Sequence, residues 1–440
     1  MRDPSVRSVS LSLQKGRDAT RRWLAPGEVS PNWNKWNLYR DIAWYGVISG
    51  VSGTFTGVFA LRLGGSNFLI GLLTSLPALV NVLFQIPAAR LIERRRNTRS
   101  VILWSGFFMR LPVFLVALVP LFFGRFQADA VVYITALGTI PAALSNVAFT
   151  VMLADVVAPA DRAHVVSVRN VLFSAVTTVA VIVAGKALDI INFPLSYQLI
   201  FSLSFLASLV SLYYVGRVAI PDRVPASQTA AGGERVESRP ALRTMLAQRG
   251  FVRFTLATFL FHWGLYLPIP LYTIYRVRVL DISDGWIGTL SMIETSVTVV
   301  TWYIWGKVAE KRGSRFVLLL GALGVCLYPF GTALSTSVYP MLVVVAIAGI
   351  VSPGWGLGLF NGLLEVAPAD HRATYVAVFN TLMNLTACVA PILGITLAGS
   401  LGIRPALLIG GVLRLLGFVA FVVLLRIPSG QPRLSAKGSN

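Results

Sequence analysis

The stretch Asp155-Val-Val-Ala-Pro-Ala-Asp161-Arg162-Ala-His-Val-Val-Ser-Val-Arg169-Asn170 returns in the second half of the chain as Glu365-Val-Ala-Pro-Ala-Asp370-His-Arg372-Ala-Thr-Tyr-Val-Ala-Val-Phe-Asn380. At an offset of 210 residues, Asp155, Arg162, Ala163, Val166, Val168 and Asn170 fall on Glu365, Arg372, Ala373, Val376, Val378 and Asn380. A second offset, 217, carries Ser66, Ile70, Gly71 and Leu73 onto Ser283, Ile287, Gly288 and Leu290, and Glu93 and Arg94 onto Glu310 and Lys311. Fixed offsets of this kind are hard to obtain by chance, so the chain reads as two copies of one unit.

The composition says where both copies reside. Of 440 residues 55% are apolar and only 13% are charged, with a mean hydropathy of +0.71. Soluble domains carry roughly 25% charged residues, so this chain cannot build a soluble surface. Two cysteines (Cys326, Cys388) and three scattered histidines offer neither a disulfide framework nor a metal cluster. The net charge of +20 invites a nucleic-acid reading, but the basic residues fall between hydrophobic runs and do not gather in one stripe, which excludes it.

Runs long enough to cross a bilayer lie at 38–62, 68–89, 100–123, 130–154, 165–188 and 196–216, then at 253–275, 285–306, 316–335, 338–363, 374–397 and 405–425. An all-α integral membrane protein of twelve spans, in two six-helix bundles, is expected. The alternating loops on the side of the termini hold 27 Lys and Arg against six on the other side. By the positive-inside rule both termini are cytoplasmic. The division is a basic N-terminal segment (1–37), a first bundle (38–216), a polar linker with Pro221, Pro225, Pro240 and an Ala-Ala-Gly-Gly run (217–250), a second bundle (251–426) and a disordered tail (427–440). Residues 1–37 lack the short apolar core of a secretory signal, and Trp33 and Trp36 read as interfacial anchors.

Gly306-Lys-Val-Ala-Glu310-Lys311-Arg312-Gly313-Ser-Arg315, between spans eight and nine, resembles the loop signature of the major facilitator superfamily. The first-half copy, Ala89-Arg-Leu-Ile-Glu93-Arg94-Arg95-Arg96, keeps the acid and bases without the glycines. The Gly-Pro antiporter signature of that family is absent from 171–189, and Ala390-Pro391-Ile-Leu-Gly394 only echoes it. The resemblance implies parallel six-helix repeats with the solute site near the midplane between them. It also implies a cytoplasmic gate built from Glu93, Arg94, Asp155, Arg162, Gly306, Glu310, Lys311, Gly313, Arg315, Glu365 and Arg372. Read without it, the same charges are solvated topology signals.

Ionisable and polar residues at membrane depth are costly and therefore candidates for function. Glu294 sits about ten residues into span eight, roughly 15 Å deep, on a stripe with Ser291, Thr295, Thr298, Thr301 and Trp302. Weaker stripes hold Thr255, His262, Tyr266 and Thr273 in span seven, Thr74, Asn81 and Gln85 in span two, and Asn380 and Asn384 in span eleven. Glu294 reads as a coupling carboxylate or a helix-to-helix hydrogen-bond partner, and His262 as a packing residue ahead of a ligand. Arg169 attracts an anionic solute or snorkels to the membrane surface. Arg110 and Arg414, deep in spans three and twelve, read as inter-helix ties or lipid contacts ahead of solute ligands. Gly46, Gly50, Gly53 and Gly57 suit close helix packing.

No ATP-binding loop is present, since Gly356 and Gly358 lie inside a hydrophobic span. No cofactor or metal is called for, and the expected partners are a small-molecule solute, protons and membrane lipids, with the chain acting as a monomer in the plasma membrane. The leading expectation is a non-enzymatic secondary transporter moving a small organic solute by alternating access, with proton-coupled efflux of drugs or metabolites ahead of nutrient import or uniport. A non-transporting sensor or lipid-handling scaffold of the same fold is the alternative.

Overall fold

The computed structural model describes residues 31–93, 99–220, 242–368 and 372–424. Those residues are helical, with no strand among them. The first half comprises α1 (Pro31–Arg62), α2 (Asn67–Glu93), α3 (Arg99–Phe122), α4 (Gln127–Val156), α5 (Pro159–Ile190) and α6 (Leu195–Gly216). A short helix, Leu242–Ala247, leads into the second half. There α7 is a broken span of Arg249–Tyr266, Ile269–Ile274 and a π turn at Tyr275–Val279. It is followed by α8 (Asp284–Arg312), α9 (Ser314–Leu334), α10 (Val338–Val366), α11 (Arg372–Leu401) and α12 (Ile403–Leu424).

Eleven spans are both long and apolar enough to cross a membrane, counting the pieces of α7 as one. The chain is a multi-pass membrane protein. The remaining long helix is α8, whose 29 residues include Asp284, Glu294 and the threonine stripe that lower its hydropathy. Prolines lie inside α2, α3, α4, α9, α10 and α11, and the carbonyls freed by Pro329 and Pro353, those of Val325 and Gly349, accept from Arg414 and Thr301 of neighbouring helices. The Pro268 and Pro270 pair interrupts α7, where two missing N–H groups in one turn break the helical ladder.

Small residues let particular helices approach closely. A Cβ on Gly46 would lie 3.2 Å from the Phe173 carbonyl, and one on Gly50 3.1 Å from that of Thr177, so both face α5. Thr177 adds a hydroxyl donated to the Gly46 carbonyl at 3.1 Å. Gly53 has open space instead. Gly313 joins α8 to α9 at φ +82°, a conformation that suits glycine and strains other residues.

The buried cores fix how the halves meet. One core draws on both halves, with Phe55, Phe59, Val181 and Phe201 against Leu271, Tyr275, Leu290 and Leu407. It lies toward the end remote from Pro31 and Leu424, called here the far end. At the terminal end there are two separate cores, one of first-half residues such as Leu38, Ile102, Met152 and Val215, and one of second-half residues such as Phe254, Phe261, Trp355 and Phe421. The halves are therefore sealed together at the far end and packed independently at the terminal end.

Candidate functional site between the halves

Across the seam, α5 packs on α8 and α2 on α11. Polar contacts cluster at the far end of that seam. Asp284 accepts from Arg62 at 3.3 Å and from the Tyr197 hydroxyl at 2.6 Å. Arg62 also donates to the Ile282 carbonyl at 3.1 Å and lies 3.9 Å from Asp281. Asp189 accepts from the Ser283 hydroxyl at 2.9 Å and from the Gly285 N–H at 3.0 Å. Arg278 donates to Asn67 and to the Gly65 carbonyl. A Cβ on Gly288 would sit 2.9 Å from the Val181 carbonyl, so the backbones of α5 and α8 touch here.

Just inside this latch lies a cavity of about 140 Å³, lined by Gly53, Thr54 and Val58 of α1, Thr273 and Arg276 of α7, and Ile287 and Ser291 of α8. Both halves contribute walls to it. Gly53 helps leave it open, having no side chain to fill it. Arg276 donates one N–H to the Tyr328 hydroxyl at 2.6 Å, while its Nε is buried without a partner. Glu294, one turn along α8 from Ser291, is half-buried. Behind it, the Tyr328 ring meets Tyr272 edge-on at 4.5 Å, and the Tyr272 hydroxyl accepts from Arg414 at 2.8 Å.

The stripe read on α8 thus divides. Ser291 faces the cavity, whereas the Thr298 and Thr301 hydroxyls turn to the Gly349 carbonyl of α10, at 3.4 and 2.8 Å. Trp302 is exposed beside Gly356. On α7, Thr273 reaches the cavity, while His262 is buried with its Nδ1 2.9 Å from the Thr258 carbonyl and its ring near Tyr266 and Trp355. Asn380 is exposed and its carbonyl accepts from Asn384 at 3.0 Å. Asn81 is half-buried on α2, and the Gln85 side chain lies outside the described residues.

Arg169 does not snorkel. It is buried and pairs with Asp41 at 3.2 Å. Arg414 ties helices together, donating to the Gly264, Val325 and Leu265 carbonyls as well as to Tyr272. Arg110 reaches Ser211 of α6 and the Gly106 carbonyl of its own helix.

The residues expected to gate the terminal end are spread over it. Arg162 donates to the Val157 and Ala154 carbonyls, at 3.1 and 2.6 Å, bracing the turn from α4 to α5 within its own half. Asp155 closes the last turn of α4. Glu310, Lys311, Arg315, Glu365 and Arg372 are exposed, and Gly306 has open space where a side chain would project. Arg94 and the Glu93 side chain lie outside the described residues. Sequence reasoning missed Arg276, the Arg62–Asp284–Tyr197 latch and the Asp41–Arg169 pair. The one local signal was the charge interrupting Tyr272-Thr-Ile-Tyr-Arg276-Val-Arg278, where the π turn also falls, since π turns often mark functional sites.

The sequence profile of the Major Facilitator Superfamily matches residues 43–359 and, in a second match, 254–439. The chain belongs to this superfamily. Its similar relatives include the multidrug resistance protein MdtG of Proteus mirabilis (strain HI4320), 25% identical over 168 residues, covering 37% of this chain and 40% of that protein. The staphyloferrin B transporter of Staphylococcus aureus (strain NCTC 8325 / PS 47) is 24% identical over 157 residues, covering 33% of this chain and 35% of that one. The aligned stretches thus span less than half the length of either relative. Among solved structures, the nucleoside transporter NupG superposes with a TM-score of 0.63 at 13% identity, over 90% of this chain and 99% of that one. A D-xylose-proton symporter gives 0.65 at 14% identity, over 90% and 97%. These superpositions establish the fold.

Proposed function

We propose that the superfamily member described here is a secondary transporter that moves a small organic solute by alternating access. The two bundles, 38–216 and 251–426, are its moving bodies, and 217–250 is the linker between them. The observation that carries this reading is the shared core and polar latch at the far end, set against separate cores at the terminal end. Such an arrangement supports one state of a two-state machine, open toward the terminal end. With 27 basic residues on that side, the terminal end is cytoplasmic and the plasma membrane is the site.

In this reading the cavity around Arg276 holds the solute, and Glu294 is the carboxylate that exchanges a proton under the influence of the Arg276 charge. The relative named as a multidrug resistance protein favours efflux of drugs or metabolites over import. The test is counterflow in proteoliposomes across a panel of labelled drugs, siderophores and nucleosides, with a far-end clamp as control. Cysteines replacing Asp189 and Ser283, in a chain lacking Cys326 and Cys388, are joined by a short bis-thiol reagent. Trans-stimulated uptake that disappears on cross-linking is expected. Uptake unchanged in fully cross-linked protein would overturn alternating access about this seam.

A further inference from the structure

The first half contains a second polar centre, away from the seam latch, where α1, α3, α5 and α6 converge. Asp41 accepts from Arg169 at 3.2 Å and from the Ser211 hydroxyl at 2.7 Å. Arg110 donates to the same hydroxyl at 2.8 Å and to the Gly106 carbonyl at 2.7 Å. Asp41, Arg110 and Arg169 are 3%, 5% and 7% exposed. Two guanidinium groups thus share one carboxylate in the interior of a membrane bundle, leaving one positive charge uncompensated. An uncompensated buried charge is strongly unfavourable.

The second half shows how such a charge is met when no ligand is needed. Arg414 is equally buried, yet it has three carbonyls and the Tyr272 hydroxyl as acceptors. Arg110 differs, because its buried Nε has no partner. It borders a cavity of about 100 Å³ that also touches Asp41, Arg169, Tyr45 and Asn146. The two guanidinium faces are occupied by aromatic rings, Arg110 over Tyr45 at 5.2 Å and Arg169 over Phe149 at 4.6 Å. Arg169 also donates to the Leu38 carbonyl, so the unpartnered Nε–H of Arg110 is what remains for a ligand. Asn146, on the cavity wall, is exposed. At roughly 30 Å³ per water the cavity takes about three waters' volume, or one ion of halide size beside a water.

We propose that this centre binds a small monovalent anion of the chloride class, held between Arg110 and Arg169. With one such ion the charges of the cluster sum to zero. The ion then acts as a fixed structural ligand of the first bundle, separate from any solute held at the seam.

The test uses the purified full chain in detergent at constant ionic strength, with gluconate as the bulk anion because it is too large for the cavity. Titrating sodium bromide should produce a saturable rise of about 2–5 °C in apparent Tm, with chloride equivalent. In Arg110→Gln the anion dependence should vanish. Should that variant not fold, Asn146→Trp, which adds bulk at that exposed wall, should slow radiolabelled chloride exchange at least tenfold in an otherwise stable protein. An unchanged exchange rate there overturns the site. No saturable difference between bromide and gluconate in the wild-type chain overturns the proposal. So does a response to salicylate without one to bromide, which would assign the centre to an organic carboxylate.

Discussion

Asp284→Asn is the most direct challenge to the idea that the far-end latch sets the conformational balance. The Asp284 side chain is 10% exposed and its partner Arg62 30%, so the pair is screened far less than a surface ion pair. Amide in place of carboxylate removes the charge from both the Arg62 contact at 3.3 Å and the Tyr197 contact at 2.6 Å. Arg62 keeps the Ile282 carbonyl and the more distant, exposed Asp281, which softens the loss. A hydrogen bond to a charged group contributes about 1.5–3 kcal/mol, and about 2 kcal/mol is a reasonable net figure here. That corresponds to roughly a 30-fold change in the ratio of far-end-open to far-end-closed molecules, enough to turn a ratio near 1:99 into about 1:3. Spin labels on cysteines replacing Phe126 and Tyr339, both exposed near the far end, would read the populations by pulsed dipolar spectroscopy. A distance distribution in Asp284→Asn identical to that of the parent would refute the reasoning and reduce the latch to a bystander.

The remaining predictions address the seam, the gate, the coupling group and the topology. Gly288→Leu should disfavour the far-end-closed state, because overpacking of the α5–α8 backbone contact costs roughly 1–3 kcal/mol; solvent access to a cysteine at Ser291 from the far side should rise, and unaltered access would count against the contact being a hinge surface. Glu310→Gln and Asp155→Asn should shift the balance toward the terminal-end-open state with less effect on solute affinity than on rate, and unmoved interdomain distances would leave both residues as topology signals. Glu294→Gln should abolish gradient-driven accumulation while solute exchange survives, whereas joint loss of stability and exchange would mark Glu294 as a structural partner worth about 1–3 kcal/mol. A cysteine in 217–250 should resist an impermeant thiol reagent applied to intact cells, and labelling there would reverse the proposed orientation.

The duplication and the spans were legible because both are written in local pattern: apolar runs of membrane length, and acids and bases repeated at fixed offsets. The seam was not legible, for physical reasons. Arg62 and Asp284 are 222 residues apart, and nothing in either neighbourhood signals the other. Arg276 and Arg278 looked like two equivalent loop charges. The π turn shifts the register between them, sending Arg278 outward to Asn67 and Arg276 inward to Tyr328 and the cavity. Thr298 and Thr301 illustrate the opposite error of inference. Helical spacing identified a polar face correctly, but periodicity does not say whether that face meets water or a neighbour's carbonyl, and α10 presents Gly349 at that place.

The two halves share a fold while disposing of their buried charges differently, and that asymmetry bears on how work is divided between them. The second half places Arg276 in the wall of a cavity that Gly53, Thr54 and Val58 of the first half also line, so on the proposed reading its charge changes environment when the halves move. The first half keeps Asp41, Arg110 and Arg169 inside one bundle, with partners on α1, α3, α5 and α6 that move together. A group whose surroundings change between states can bias those states, and one whose surroundings travel with it cannot. On the proposed transport reading, coupling is expected of the second half, and the cluster of the first half is expected to hold its own bundle rigid.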